Sequence, residues 1–142
     1  MSEADIEVVR DQFEAVNERD WGRAMDHYAE DVVLVVPPAE NAPEPGTYKG
    51  KEAVGKWFGN WFQHFAPGYR FEFEEARELD DLIFIRAKHG GRGRASGAEV
   101  RGELSYLYRV RDGKIAHVRI FPTRDEALEA ADAPEWSEGQ TD

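Results

Sequence analysis

Between Tyr69 and Phe121 polar and apolar side chains alternate along four successive segments: Tyr69–Leu79, Leu82–His89, Glu99–Arg111 and Lys114–Phe121. A period of two is the mark of a strand, in which successive side chains go to opposite faces. The breaks are short: Asp80-Asp81, the Gly90–Gly97 stretch with Arg92 and Arg94, and Asp112-Gly113, a strong hairpin signal. Such a run reads as an antiparallel sheet.

The alternation sorts the strand residues into two faces. One carries Phe71, Phe73, Ile83, Ile85, Ala87, His89, Val100, Gly102, Leu104, Tyr106, Tyr108, Val118 and Ile120. The other carries Glu72, Glu74, Arg86, Lys88, Arg101, Glu103, Ser105, Arg109, His117 and Arg119. The apolar set is expected to face helices and any pocket. On the charged set, opposite signs can pair across strands. Leu107 and Phe121 fall among the charges, which points to a partner covering that face and to a homodimer through the outer sheet.

Upstream, the period changes. Ile6, Val9, Phe13 and Val16 form one face of a helix over Asp5–Arg19, and Ser2 or Asp5 can cap it. Asp20 caps a second helix with Trp21, Ala24, Met25 and Tyr28 on its inner side. Asp31–Val36 reads as a buried strand stopped by Pro37-Pro38. Ala39–Thr47, rich in Pro, Gly, Asn and Glu, reads as a long loop of the kind that rims pockets. Gly50 opens a third helix to about Phe65, with Val54, Trp57, Phe58, Trp61, Phe62 and Phe65 giving it a wide aromatic face. Thr123 caps a last helix, Arg124–Ala131. Residues 132–142 show no pattern and read as an acidic, flexible tail. The expectation is one domain over residues 1–131. Helices come first and then a curled antiparallel sheet, so the fold class is α+β, a cone around one apolar pocket.

Composition narrows the functions. The net charge of −11 repels phosphate backbones, so nucleic acid is not an expected partner. No apolar run approaches the roughly 18 residues of a membrane span, and no secretory signal is visible, so the cytoplasm is the default compartment. Cysteine is absent, which removes disulfides, thiolate metal sites and a Cys nucleophile. No phosphate loop, dinucleotide fingerprint, serine-hydrolase elbow or His-Glu-x-x-His helix occurs, and no cofactor is expected. His27 and Asp31 stand four apart, a metal-ligand spacing without a third ligand; a solvated helix end is the better reading, and no metal site is expected. His64 and His117 read as surface groups.

Candidate chemistry rests on a few residues. His89 is the one histidine on the inner face and can act as an acid or base; the alternative is a strand-end histidine at the solvent boundary. Tyr106 and Tyr108 can offer hydroxyls to a ligand carbonyl or can simply fill volume. Phe13, Trp57 and Trp61, with Phe58 and Phe62, divide between core and pocket lining. Tyr28, Val36 and Val118 complete the expected ligand-binding set.

Several stretches together resemble the SnoaL-like branch of the nuclear-transport-factor-2-like superfamily, which includes ketosteroid isomerases and polyketide cyclases. They are Val16-Asn17-Glu18-Arg19-Asp20-Trp21, Tyr28-Ala29-Glu30-Asp31-Val32-Val33, Tyr48-Lys49-Gly50-Lys51-Glu52-Ala53-Val54, Arg109–Ile115 and Asp125–Ala130. The resemblance implies a cone with a deep pocket and frequent dimers through the outer sheet face. It also implies where catalytic groups would fall. The isomerase base position, just before a proline, is Val36; the helix-one tyrosine position falls near Gln12; the protonated-acid position falls near Tyr106. The late carboxylate of the cyclases has no counterpart in Arg119–Thr123. The expected function is therefore binding of a small apolar or aromatic molecule. The alternative is a cofactor-free isomerase, cyclase or dehydratase acting on a polyketide-, steroid- or terpenoid-like substrate, with His89 as acid/base and Tyr106 as carbonyl donor. A third reading makes association through the sheet the main role.

Overall fold

The computed structural model describes residues 2–38 and 45–132. The elements in order are α1 (Ser2–Asn17), α2 (Trp21–Asp26), β1 (Tyr28–Val36), β2 (Gly46–Lys49), α3 (Lys51–Gln63), β3 (Arg70–Leu79), β4 (Leu82–Arg92), β5 (Glu99–Arg111), β6 (Lys114–Phe121) and α4 (Arg124–Ala131). The six strands form one sheet in the order β2-β1-β6-β5-β4-β3. β1 runs parallel to β6, and every other pair is antiparallel. The architecture is the expected α+β cone: a curled, unclosed sheet wrapped on N-terminal helices.

The curl has local causes. Register shifts occur between Phe73 and Glu75 on β3, between Arg109 and Val110 on β5, and between Tyr28 and Val33 on β1. Bulges of this kind bend a strand and increase its twist. The shift on β3 also exchanges faces. Phe73 points inward, and beyond the shift Ala76 does, while Glu75 turns outward. At the other end of β3 the backbone approaches β4 closely: a Cβ on Gly91 would lie 2.7 Å from Tyr69 Cα, so only glycine fits.

The inner face carries the main core, with Val9, Phe13 and Val16 of α1 and Val54, Trp57 and Trp61 of α3 packed on Ile83, Ile85, Ala87, Leu104, Tyr106, Tyr108, Val118 and Ile120. α1 is also tied to the edge of the sheet. The Asn17 amide donates to Phe71 O at 2.9 Å and accepts from Phe71 N at 2.8 Å, occupying strand-edge groups of β3. Arg19, in the left-handed region at φ 62°, donates to Val16 O and to Tyr69 O and lies 4.7 Å from the centre of the Phe62 ring.

A second, smaller core sits on the outer face. Leu82, Phe84, Leu107 and Phe121 pack with Ala127, and Leu128, Ala130 and Ala131 border them. Helix α4 of the same chain covers Leu107 and Phe121. Thr123 Oγ1 caps that helix by accepting from Glu126 N at 3.2 Å. Glu75 pins it to the sheet, accepting from Arg124 Nε at 2.9 Å and Nη2 at 3.0 Å and from Arg86 Nε at 3.2 Å.

Other boundaries differ from expectation for local reasons. Tyr28 begins β1 instead of closing α2, because Asp26 ends the helix and Ile115 N donates to His27 O at 2.7 Å. Gly46–Lys49 forms strand β2 against β1, taking in Gly46 and Thr47 of the expected loop. α3 stops at Gln63, and Phe65 bridges to Gly93. His117 is buried, 8% exposed, rather than a surface group. The rest of the expected loop, residues 39–44, and the tail, residues 133–142, lie outside the described residues.

Hydrogen bonds from Arg124 and then Arg86 hold the Glu75 carboxyl at a pKa of about 2, against an ordinary 4.5. Because the folded value is depressed, its contribution is present above pH 4.5 and disappears as pH falls toward 2. Urea unfolding across this range should show wild type more stable than Glu75→Gln at neutral pH, with the two curves converging in acid. Parallel curves would show that the carboxylate does not secure α4.

Candidate functional site

The cone encloses a cavity of about 40 Å³. Its sheet wall is Tyr28 and Leu34 of β1, Phe71 of β3, Leu104, Tyr106 and Tyr108 of β5, and Val118 and Ile120 of β6. Its helix wall is Gln12, Phe13 and Val16 of α1 and Trp57, Phe58, Trp61 and Phe62 of α3. Nine of the fifteen are aromatic and none is charged. The volume admits a few waters, whereas a benzene-sized guest requires roughly 150 Å³. A larger guest enters only if rings move.

The rings around Phe13 are arranged edge to face. Phe13 stands nearly perpendicular to Phe73, Tyr106 and Phe71, with centroids 4.8, 5.3 and 5.7 Å away. Tyr106 and Tyr108 lie on the same face of β5, two residues apart, with centroids 6.0 Å apart. Trp57 and Trp61, one helical turn apart, have centroids at 5.1 Å. Phe58 and Phe62 are half-buried. They form a shared wall between the cavity and an outer groove of about 360 Å³ between α2 and α3. Trp21, Met25, Gly55 and Gly59 line that groove, and Trp21 is 38% exposed.

The cavity's polar groups are few and neutral. The Gln12 amide nitrogen is buried without a hydrogen-bond partner. No hydrogen bond reaches the hydroxyls of Tyr28, Tyr106 or Tyr108 among the described residues. Burial pushes all three phenols up, Tyr106 and Tyr108 well above the ordinary value of 10.0, so each keeps its proton.

Of the residues singled out in the sequence, Phe13, Tyr28, Trp57, Trp61, Tyr106, Tyr108 and Val118 line the cavity. Val36 is buried in the surrounding core but is not a lining residue; Leu34, two positions earlier on the same face, takes that place. His89 is likewise buried on the inner face yet outside the lining. Its Nδ1 lies 2.7 Å from Tyr69 Oη, which accepts from Trp61 Nε1 at 3.2 Å. An indole N–H can only donate, so Tyr69 Oη accepts from Trp61; where the Tyr69 proton goes to His89 Nδ1, the imidazole is the Nε2–H tautomer. Its Nε2 lies where a Cβ on Gly102 would come within 2.8 Å, so glycine there makes room for the ring. Burial lowers the His89 pKa from 6.5.

The remaining histidines stand elsewhere. His27 pairs with Asp11 at 2.7 Å and Asp31 with Arg111 at 2.9 Å, so the pair does not share a site. His117, on the outer face, is lowered to about 4 by burial and then by the charges of Arg109 and Arg119. Among the described residues no three His, Cys, Asp or Glu side chains cluster so as to hold a metal ion. No described helix is long and apolar enough to cross a membrane.

Gln12 drew notice in the sequence only through the family position it occupies, and nothing there marked it as unpaired. Leu104 and Ile120 were legible from strand parity.

The family model for the SnoaL-like domain matches residues 9–118. The chain belongs to the SnoaL-like family. Its cone is similar to Bal32a from a soil-derived mobile gene cassette, at 17% identity over 90% of this chain and 95% of that one, with a TM-score of 0.75. It is similar to a putative polyketide cyclase from Sinorhizobium meliloti, at 25% identity over 81% and 94%, with a TM-score of 0.64. A hypothetical protein with a ketosteroid isomerase-like fold from Catenulispora acidiphila, in complex with trimethylamine, aligns at 17% identity over 90% and 94%, with a TM-score of 0.71. No curated protein matches the chain.

Nitrogen-15 NMR of the imidazoles at pH 7 should show His89 neutral with its proton on Nε2, and Tyr69→Phe should shift the Nδ1 resonance. A protonated ring or the opposite tautomer would show that His89 Nδ1 donates to Tyr69 instead.

Proposed function

We propose that this SnoaL-like domain binds a small apolar or aromatic molecule inside the cone, between the α3 tryptophans and the β5 tyrosines. The observation that carries the reading is the cavity itself, inside the cone, uncharged and mostly aromatic. Phe58 and Phe62, the thin wall toward the α2–α3 groove, are the rings whose displacement would admit and enlarge the space.

Binding is favoured over catalysis because proton transfer at neutral pH needs a group that titrates there. The only titratable lining groups are phenols held protonated. His89 is connected to the lining through Tyr69 and Trp61 rather than facing a guest. An isomerase or cyclase reading with His89 as the base would need that chain to open.

Calorimetric titration with small apolar and aromatic compounds, and with trimethylamine as in the Catenulispora neighbour, tests the reading. At least one should bind wild type saturably. Val118→Phe places a ring in the cavity and should weaken that binding more than about tenfold while the cooperative unfolding transition survives, since overpacking costs about 1–3 kcal/mol. Absence of binding across the panel, or unchanged affinity in Val118→Phe, would contradict it.

A further inference from the structure

We infer that Arg109 is the centre of an oxyanion subsite on the outer face of the sheet, and that its occupant is a small carboxylate held by two parallel hydrogen bonds. The site lies on the opposite face of β5 and β6 from the cavity, and it does not depend on what the cavity holds.

The Arg109 side chain is only 15% exposed. Its Nη1 donates at 2.7 Å to Asp81, which stands in the turn between β3 and β4. Its Nε and Nη2 are buried without a partner among the described residues. These two nitrogens make one edge of the guanidinium plane, and along it an N–H from each points the same way. Such an edge matches the two oxygens of a carboxylate. A buried donor without an acceptor is unfavourable, and more so on a charged group. Asp81 holds the far corner of the plane, so the remaining edge is presented in a fixed direction.

The surroundings select the sign of the occupant. Directly paired residues of a sheet share a face. Arg109 pairs with His117 of β6, His117 with Val33 of β1, and Val33 with Lys49 of β2. Arg119 follows His117 on the same face, paired with Leu107. Burial first, and then the charges of Arg109 and Arg119, lower the His117 pKa to about 4. His117 is therefore neutral at pH 7, with both guanidiniums close by. Asp81 offsets one positive charge of a row that holds Arg109, Arg119 and Lys49. A local positive patch on a chain of net charge −11 draws an anion to that place and not to the rest of the surface. A singly charged carboxylate suits a buried edge better than a phosphate dianion, which costs more to desolvate.

The test titrates sodium acetate into the isotope-labelled protein at pH 7, with sodium chloride holding the ionic strength constant. NMR follows the Arg109 Nε–H and the His117 ring, and sedimentation velocity follows the oligomeric state. In wild type both resonances should move and saturate together. Arg109→Lys keeps the charge and loses the paired donors, so acetate should bind it at least about tenfold more weakly by the His117 shift. Should that variant not fold, the wild-type Arg109 Nε–H decides: saturation supports the site, and no response overturns it. A shift that grows linearly without saturating would show an adventitious ion only, and would overturn it. Unchanged affinity in Arg109→Lys would do the same. A response to acetate that fades as protein concentration rises and a dimer forms would show that a second copy supplies the acceptor, and would overturn the small-molecule site.

Discussion

The pleat of β4, β5 and β6 is the constraint on which the rest of this molecule depends. Along β5, Leu104, Tyr106 and Tyr108 go to the cone interior, while Ser105, Leu107 and Arg109 go to the other side. A register slip of one residue would turn Arg109 toward the helices and Tyr106 toward solvent. The burial of apolar side chains on both faces opposes that slip. α1 and α3 require the tyrosine face, and α4 requires Phe84, Leu107 and Phe121. The cavity follows from the same division, because a curled sheet with rings on its concave face cannot bring its two halves into full contact.

The interior shows a tension between stability and use. An all-aliphatic filling would bury the same area without polar atoms, yet the cavity retains one amide nitrogen and three phenols that no described residue pairs. Near it, Tyr69 joins Trp61 to His89, and Asn17 joins α1 to the edge of β3. On the outer face Arg109 keeps Nε and Nη2 buried without a partner among the described residues, while its Nη1 donates to Asp81.

Much of this was legible in the sequence, because periodicity is a local property. Strand parity placed Leu104, Tyr106, Tyr108, Val118 and Ile120 together, and the aromatic face of α3 announced itself by spacing. What stayed hidden was non-local. Leu107 and Phe121 looked like a partner's contact surface, because no local signal says that the helix starting at Arg124 folds back over its own sheet. His117 carries no local mark of burial, since its neighbours across the sheet set its environment. Val36 and Leu34 share one face of β1, and only the curl decides which of them reaches the cavity. β2 is four residues in a Pro- and Gly-rich segment, too short to show a period. The placement of His89 behind Tyr69 depends on χ angles and a bond to the residue just before β3.

The account's central claim is that the cone holds real, apolar, enterable space between α3 and β5. Diffraction from crystals pressurised with xenon tests this without assuming a ligand, since xenon occupies dry apolar cavities. The account predicts an anomalous peak bordered by Phe13, Trp57, Tyr106 and Val118. A cone closed by side-chain packing, with no xenon among those residues, would contradict it.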